Sequence, residues 1–208
     1  MKQIRRGIFE TNSSSVHAIT VTSKKPVIDG EYVQIHFTTG EFGWEHVIYC
    51  DYNSKASYLW TTIIHHFIKE YVHPSGYGDE KSYIVIDKEN PEYIRRREAI
   101  RTALYKYGLD EENPFSIEFE EDFNTDWTKN RDGGYIDHLP ELDFVDDIIF
   151  NEDRLYRFLF NDSSRIETWN DNEWYYEGED DVYKNWEERC WRYFTVPKDT
   201  EYKFLKNN

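Results

Sequence analysis

Apolar and polar positions alternate most regularly near the start of the chain. Val16, Ala18, Thr20 and Thr22 oppose His17, Ile19 and Val21. That two-residue period predicts a strand over Val16–Thr22, covered on both faces for part of its length. Tyr32–Thr38 reads as a second strand, entered through the turn signal Asp29-Gly30, and Trp44–Tyr49 as a short third element. The period then changes. Tyr58, Leu59, Ile63, Phe67 and Tyr71 recur at three- and four-residue spacing, which predicts a helix capped by Asn53 or Ser54 and running to Val72. His73-Pro74-Ser75-Gly76 ends it, and Ser82–Asp87 reads as a buried strand. Asn90-Pro91 places proline at a first helical position. The helix it opens runs to Tyr107 and closes at Gly108, with Ile94, Ala99, Leu104 and Tyr105 as candidates for the core and Arg95, Arg96, Arg97 and Arg101 around the other side.

Beyond it, Phe115–Phe119 alternates as a strand and residues 120–134 form an acidic loop ending in glycine. Leu142–Phe160 has helical spacing, and its thin caps leave a division into two helices open. Arg165–Trp169 is a short strand, Asn170–Asp181 is polar and acidic, and the aromatic stretch Trp186–Val196 is a candidate to close the sheet. The pattern predicts an α+β fold over residues 1–208 as a single domain, with a mixed or antiparallel sheet packed by two to four helices.

Composition changes the picture in two respects. Only 38% of the 208 residues are apolar and 32% are charged, but 17 Tyr, 13 Phe and 7 Trp supply large buried areas from few positions. A folded chain with an aromatic-rich core is therefore expected despite a net charge of −16. The charge is also uneven. Residues 1–107 hold 14 basic against 13 acidic side chains, a net of +1, and residues 108–208 hold 11 against 28, a net of −17. An acidic surface repels nucleic acid and attracts basic proteins, and it can compete for a protein's nucleic-acid-binding groove. Ordinary solubilising charge is the plain alternative. Cys50 and Cys190 form no close-spaced pair, which points to free thiols in a reducing compartment and excludes a zinc site of several cysteines. No stretch approaches 18 consecutive apolar residues and no apolar run follows the first arginines. A cytosolic protein that does not enter a membrane is the expectation.

Three hydrophilic clusters carry the candidate chemistry. In the first, Arg5 and Arg6 are suited to phosphate or carboxylate. Asn12, Ser13, Ser14 and Ser15 can build an anion-binding nest with backbone N–H groups. Glu10 can orient an arginine or act as a base, and His17 titrates near neutrality. Glu10 and His17 are seven positions apart, a spacing that dictates no mechanism. The plain alternative is a terminus with a capping side chain. The second cluster is Tyr135-Ile136-Asp137-His138, after Gly133-Gly134. Asp137 could fix the tautomer of His138 if the chain bends them together, although neighbouring side chains in a strand point apart. His17 and His138 could act as base and acid in phosphodiester cleavage; an Asp turn beside a half-buried His is the alternative. The third cluster, Phe158–Asn172, offers Asn161, Ser163, Ser164, Thr168, Asn170 and Asn172, or else turn chemistry on both sides of a strand.

Metal chemistry gains nothing here. His65 and His66 are consecutive, about 100° apart on a helix. The run from Thr128 has Thr at the first calcium-loop position and Leu139 at the closing one. Glu177, Glu179, Asp180 and Asp181 read as a solvated run. No phosphate-binding GxxxxGK[ST], no GxSxG elbow and no dinucleotide glycine motif occurs. No metal ligand is assigned and no cofactor is named.

The run Arg6–His17, RGIFETNSSSVH, resembles the signature opening of a large family of uncharacterised proteins from phages and other mobile elements of Gram-positive bacteria. Tyr135–His138 and Phe158–Asn172 resemble that family's later landmarks. Some proteins with this kind of opening are similar to anti-CRISPR proteins that disable Cas9-type effectors, and shortening of the guide RNA is one route in such inhibitors. The resemblance implies an inhibitor of a host nucleic-acid-targeting defence complex, working in the bacterial cytosol. Its partner would be a basic nucleic-acid-binding protein or ribonucleoprotein of the Cas9 type. It also implies that the three clusters share a site. Two alternatives stand beside it. One is a nuclease or other phosphoester hydrolase acting on RNA, with His17, His138, Glu10 and Asp137 catalytic. Arg5, Arg6, Asn12, Ser13, Ser14, Ser15, Asn161, Asn170 and Asn172 would then hold the substrate. The other is a phage structural or interaction protein.

Overall fold

A computed structural model describes residues 15–26, 33–43, 45–73, 81–108, 116–121, 134–137, 139–170, 194 and 196–206. In chain order its elements are β1 (Ser15–Thr22), β2 (Gln34–Phe37), β3 (Glu41–Phe42), β4 (Val47–Tyr49), α1 (Tyr52–His66), β5 (Ile68–His73), β6 (Lys81–Ile86) and α2 (Pro91–Gly108). There follow β7 (Ser116–Phe119), β8 (Tyr135–Ile136), α3 (Leu142–Ile149), α4 (Glu152–Phe160), β9 (Arg165–Asn170) and β10 (Thr200–Lys206). The class is α+β, as the alternating and helical periods predict.

The alternating segment at the start becomes the inner strand β1, with all eight residues buried. It pairs antiparallel with β10 on one side and β9 on the other, and β4 extends the sheet beyond β9. Burial on both faces explains a strand that is polar at Ser15, His17, Thr20 and Thr22 and yet fully enclosed. One face, with Ile19 and Val21, joins the main core formed with α1, α3 and α4. The other face carries Val16 and Ala18 against Phe194, Trp169 and Leu205. Aromatic rings supply much of the main core. Phe144 of α3 stacks on Phe204 of β10 at 4.9 Å, and Trp60 of α1 lies 4.8 Å from Phe119 of β7. Two parallel pairs, β2 with β7 and β3 with β8, tie the first half of the chain to the second.

Several elements differ from the periodic reading. α1 starts earlier, because the Asp51 carboxylate accepts the Ser54 N–H and caps it. It ends at His66 instead of Val72. The next residues, Ile-Lys-Glu-Tyr-Val-His, pair antiparallel with β6 from Ile68↔Ile86 onward, and this β-branched and aromatic run follows its strand partner. Leu142–Phe160 is two helices, divided at Phe150 and Asn151, where Asn151 caps α4 by accepting from Arg154 N–H. In α2 the inward set is Tyr93, Arg96, Ile100, Ala103 and Leu104, whereas Ile94 and Tyr105 are exposed. The edge of the sheet beside β1 is closed by β10, which the pattern reading does not predict. Residues 186–193 and 195 of the stretch expected to close the sheet lie outside the described residues.

The buried Arg96 takes up one carboxylate of the acidic half. Its guanidinium forks onto Asp146 with two 2.7 Å bonds. Arg97 meets Glu121 at 2.6 Å, Lys106 meets Glu152, and Arg157 meets Glu201 at 2.6 Å. Three of these four pairs join a cation of the near-neutral half to a carboxylate of the acidic half. Part of the acidic excess is therefore paired with cations of the first half, at the surface for Lys106–Glu152 and at a buried guanidinium for Arg96–Asp146.

Candidate functional site

Ser15, His17, Ile19 and Val21 project from the same face of β1, as the two-residue period requires. The first two are polar and meet partners there. Beneath them runs α1, whose apolar stripe includes Tyr58. Its hydroxyl lies 2.6 Å from His17 Nδ1. On the other side of the imidazole, Nε2 lies 2.9 Å from Ser15 Oγ, and Ser15 Oγ donates to the Asp137 carbonyl over 3.1 Å. His17 and Tyr58 are fully enclosed and Ser15 is 1% exposed.

The directions of these bonds follow from what each atom can do. Burial, with a smaller effect from Tyr49, raises the Tyr58 phenol well above its ordinary value, so it keeps its proton. That proton points to His17 Nδ1, which must then be a lone pair. The imidazole proton sits on Nε2 and is donated to Ser15 Oγ. Ser15 in turn gives its own proton to a carbonyl, which can only accept. Tyr58, His17, Ser15 and Asp137 thus form one ordered chain in which each donor has an acceptor.

β8 brings Asp137 to this place. Its parallel pairing with β3 sets Tyr135 N–H on Gly40 O at 2.8 Å and Asp137 N–H on Phe42 O at 2.9 Å. The Asp137 carboxylate accepts from the Tyr135 hydroxyl at 2.9 Å. Burial, followed by this bond and the carboxylate's charge, pushes the Tyr135 phenol up to about 12. Gly43 closes the site from above. Its φ of +105° is a conformation that side-chain-bearing residues rarely adopt. A Cβ there would lie 2.8 Å from Asp137 Cβ, 2.9 Å from His17 Nε2 and 3.2 Å from Ser15 Oγ. The strand of the third cluster runs alongside, with His17 opposite Thr168 and Ser15 opposite Asn170. Thr168 Oγ1 holds the Glu45 carbonyl at 2.8 Å.

Of the residues singled out from the sequence, Ser15, His17 and Asp137 come together, and the backbone of Asn170 lies in register beside them. His17 has no exposed surface, so its place is that of a positioning residue. Asn161 is not part of the centre. It ends α4, donates its amide to the Lys24 carbonyl at 3.0 Å and accepts from Ser163 N–H at 2.9 Å, which is turn chemistry. It lies beyond the Thr22 end of β1, roughly 20 Å from His17 at the usual rise of about 3.4 Å per residue. Arg5, Arg6, Glu10, Asn12, Ser13, Ser14, His138 and Asn172 lie outside the described residues. His65 and His66 each bond a carbonyl, of Gly134 and Pro140 respectively. No group of His, Cys, Asp and Glu suited to a metal ion occurs among the described residues, and no helix there is long and apolar enough to cross a membrane. Tyr58 and Gly43 complete the centre without having been singled out. A tyrosine in an apolar stripe reads as core, and only the positive φ distinguishes Gly43.

Comparison with known proteins found no matching family model, no matching curated protein and no matching solved structure.

Proposed function

We propose that this chain is an inhibitor of the kind carried by phages and other mobile elements, directed against a host complex that targets nucleic acid. The partner in this reading is a Cas9-type effector with its guide RNA. One observation carries most of the support: Ser15 and His17 of the opening motif share a hydrogen-bonded centre with Asp137 of the second motif, beside the strand of the third. Residues that stand as landmarks in a resembling family are expected to meet where that family has a common site.

The mode of action is binding. The ordered chain ending on the Asp137 carbonyl makes the start of β1 a fixed anchor. Arg5, Arg6, Glu10, Asn12, Ser13 and Ser14 directly precede that anchor in the sequence, with guanidinium groups suited to phosphate or carboxylate. The acidic runs Asp110-Glu111-Glu112 and Glu177–Asp181 complement the positively charged channel in which such effectors hold their heteroduplex.

A second reading, phosphoester hydrolysis, is favoured by the 2.9 Å contact of Ser15 Oγ with His17 Nε2, the distance of a nucleophile from its base. It requires the proton order to reverse, which would leave the buried Tyr58 hydroxyl without its acceptor. One experiment separates the two. Guide RNA, alone and loaded in the effector, is incubated with the protein, and RNA length, target cleavage and binding are followed as salt rises. Intact RNA, suppressed cleavage and salt-weakened binding support the binding inhibitor. Shortened RNA that stays full length with His17→Ala supports the hydrolase. Neither suppression nor shortening contradicts both.

A further inference from the structure

The opposite face of the sheet holds a second polar group, independent of the centre around His17. Thr20 of β1 is 2% exposed, and its Oγ1 is buried with no hydrogen-bond partner. A buried hydroxyl left unpaired costs free energy, and such atoms are few in folded proteins. Thr20 is paired in register with Arg165 of β9 and with Lys203 of β10. These three residues therefore form one row across three strands on the same face. Arg165 Nε is also buried and unpartnered, and the guanidinium has no hydrogen-bond or ion-pair partner among the described residues. Other carboxylates in the acidic half have taken up arginines, as Asp146 has Arg96. Glu167, next along this face of β9, is held by His46 at 3.0 Å and by the Trp169 indole N–H at 3.3 Å. His46 and Trp169 lie toward the Trp169 end of the strand, away from Thr20.

A half-buried guanidinium and a buried, unpartnered hydroxyl in the same row supply donors of the kind that hold a tetrahedral oxyanion. We propose that Thr20 and Arg165 form a phosphate-binding site on the outer face of the sheet, with Lys203 in register beside them. The occupant is a phosphate group, either the free ion or a phosphate of a nucleic-acid backbone. Arg165 and Thr20 donate to its oxygens. The proposal uses none of the residues of the His17 centre, so its failure leaves the functional reading above intact.

Inorganic phosphate is titrated into the full chain at constant ionic strength, with chloride as the control, by calorimetry and by 31P line broadening. The wild type is expected to show saturable binding. Thr20→Val, which keeps the side-chain shape, is expected to weaken it about tenfold or more, the cost of one hydrogen bond to a charged group. Thr20→Ser is expected to retain binding and Arg165→Ala to lose it. Absence of saturable binding in the wild type overturns the proposal. So does wild-type affinity in either Thr20→Val or Arg165→Ala, each checked for folding by circular dichroism. A short single-stranded RNA that competes with phosphate in the wild type assigns the site to backbone phosphate. Phosphate binding that RNA leaves unchanged assigns it to the free ion.

Discussion

Ser15 and Asp137 stand 122 positions apart, and the Ser15 hydroxyl donates to the Asp137 carbonyl over 3.1 Å. With His17 and Tyr58 behind it, this bond ties the first strand, the first helix and the turn after β8 into one buried polar unit. Low local dielectric strengthens such a chain when it is complete and penalises it when one member is lost.

Tyr58→Phe tests the proton order. The ring contacts to Phe42 at 5.1 Å and Phe144 at 6.1 Å remain available, but His17 Nδ1 loses its donor. The expected loss of unfolding free energy in urea at pH 7 is about 1–3 kcal/mol. A double-mutant cycle with Ser15→Ala should show non-additivity of about 0.5 kcal/mol or more, because both residues act through His17. Additive effects would dissolve the chain into independent contacts.

Gly43→Ala should be destabilising for two reasons, its φ of +105° and a Cβ placed 2.8 Å from Asp137 Cβ. Backbone strain alone is about 1–3 kcal/mol. A thermal midpoint equal to wild type would show that the loop above His17 can move aside freely.

Lys55 gives a pH signature. Its ammonium is enclosed and bonds the Asn161 and Ser164 carbonyls, each at 3.1 Å. Burial pulls it down from 10.5 to about 8, against smaller opposing effects from Cys50, Asp162 and Asp51. Between those values the unfolded chain holds the proton more tightly than the folded one. This group's contribution to stability therefore rises with pH from about 8 to 10.5, by up to about 3 kcal/mol. The stability difference between wild type and Lys55→Met should move in favour of wild type across that window. Taking the difference cancels the tyrosines, whose raised values act the other way above pH 10. A flat difference would place Lys55 in a wetter setting than the fold gives it.

The Arg96–Asp146 fork predicts an asymmetry. Arg96 is 6% exposed, so Asp146→Ala leaves a buried guanidinium with Glu92 alone, at a cost of about 3 kcal/mol. Arg96→Met leaves a carboxylate that water can reach, and fills the site with an apolar chain of similar length. Its cost should be clearly smaller. Equal losses would mean that the guanidinium re-solvates when its partner is removed.

Legibility in the sequence followed the number of residues carrying each signal. β1 showed seven alternating positions, and α2 had Pro91 and Gly108 to mark its ends, so both were readable. β3 and β8 are two residues each, too short for any period, and they are what brings Asp137 to Ser15. β10 was readable in principle, since Tyr202 and Phe204 alternate with charged Glu201 and Lys203, but it follows a longer aromatic stretch that attracted the assignment. In α2, arginines disguised the inward face, because Arg96 is buried through its pairing with a carboxylate 50 positions away. The polarity of Ser15 and His17 was visible. Their enclosure was not, since it depends on Tyr58 and Gly43 arriving from elsewhere.

The most direct test of the account is target cleavage by a guide-loaded Cas9-type effector in the presence of the wild-type chain and of Ser15→Ala. The variant removes the bond to Asp137 and leaves every residue before Ser15 unchanged. The account predicts that wild type suppresses cleavage and that Ser15→Ala, folded by circular dichroism, suppresses it markedly less. Undiminished cleavage with wild type, or equal suppression by the variant, would contradict it.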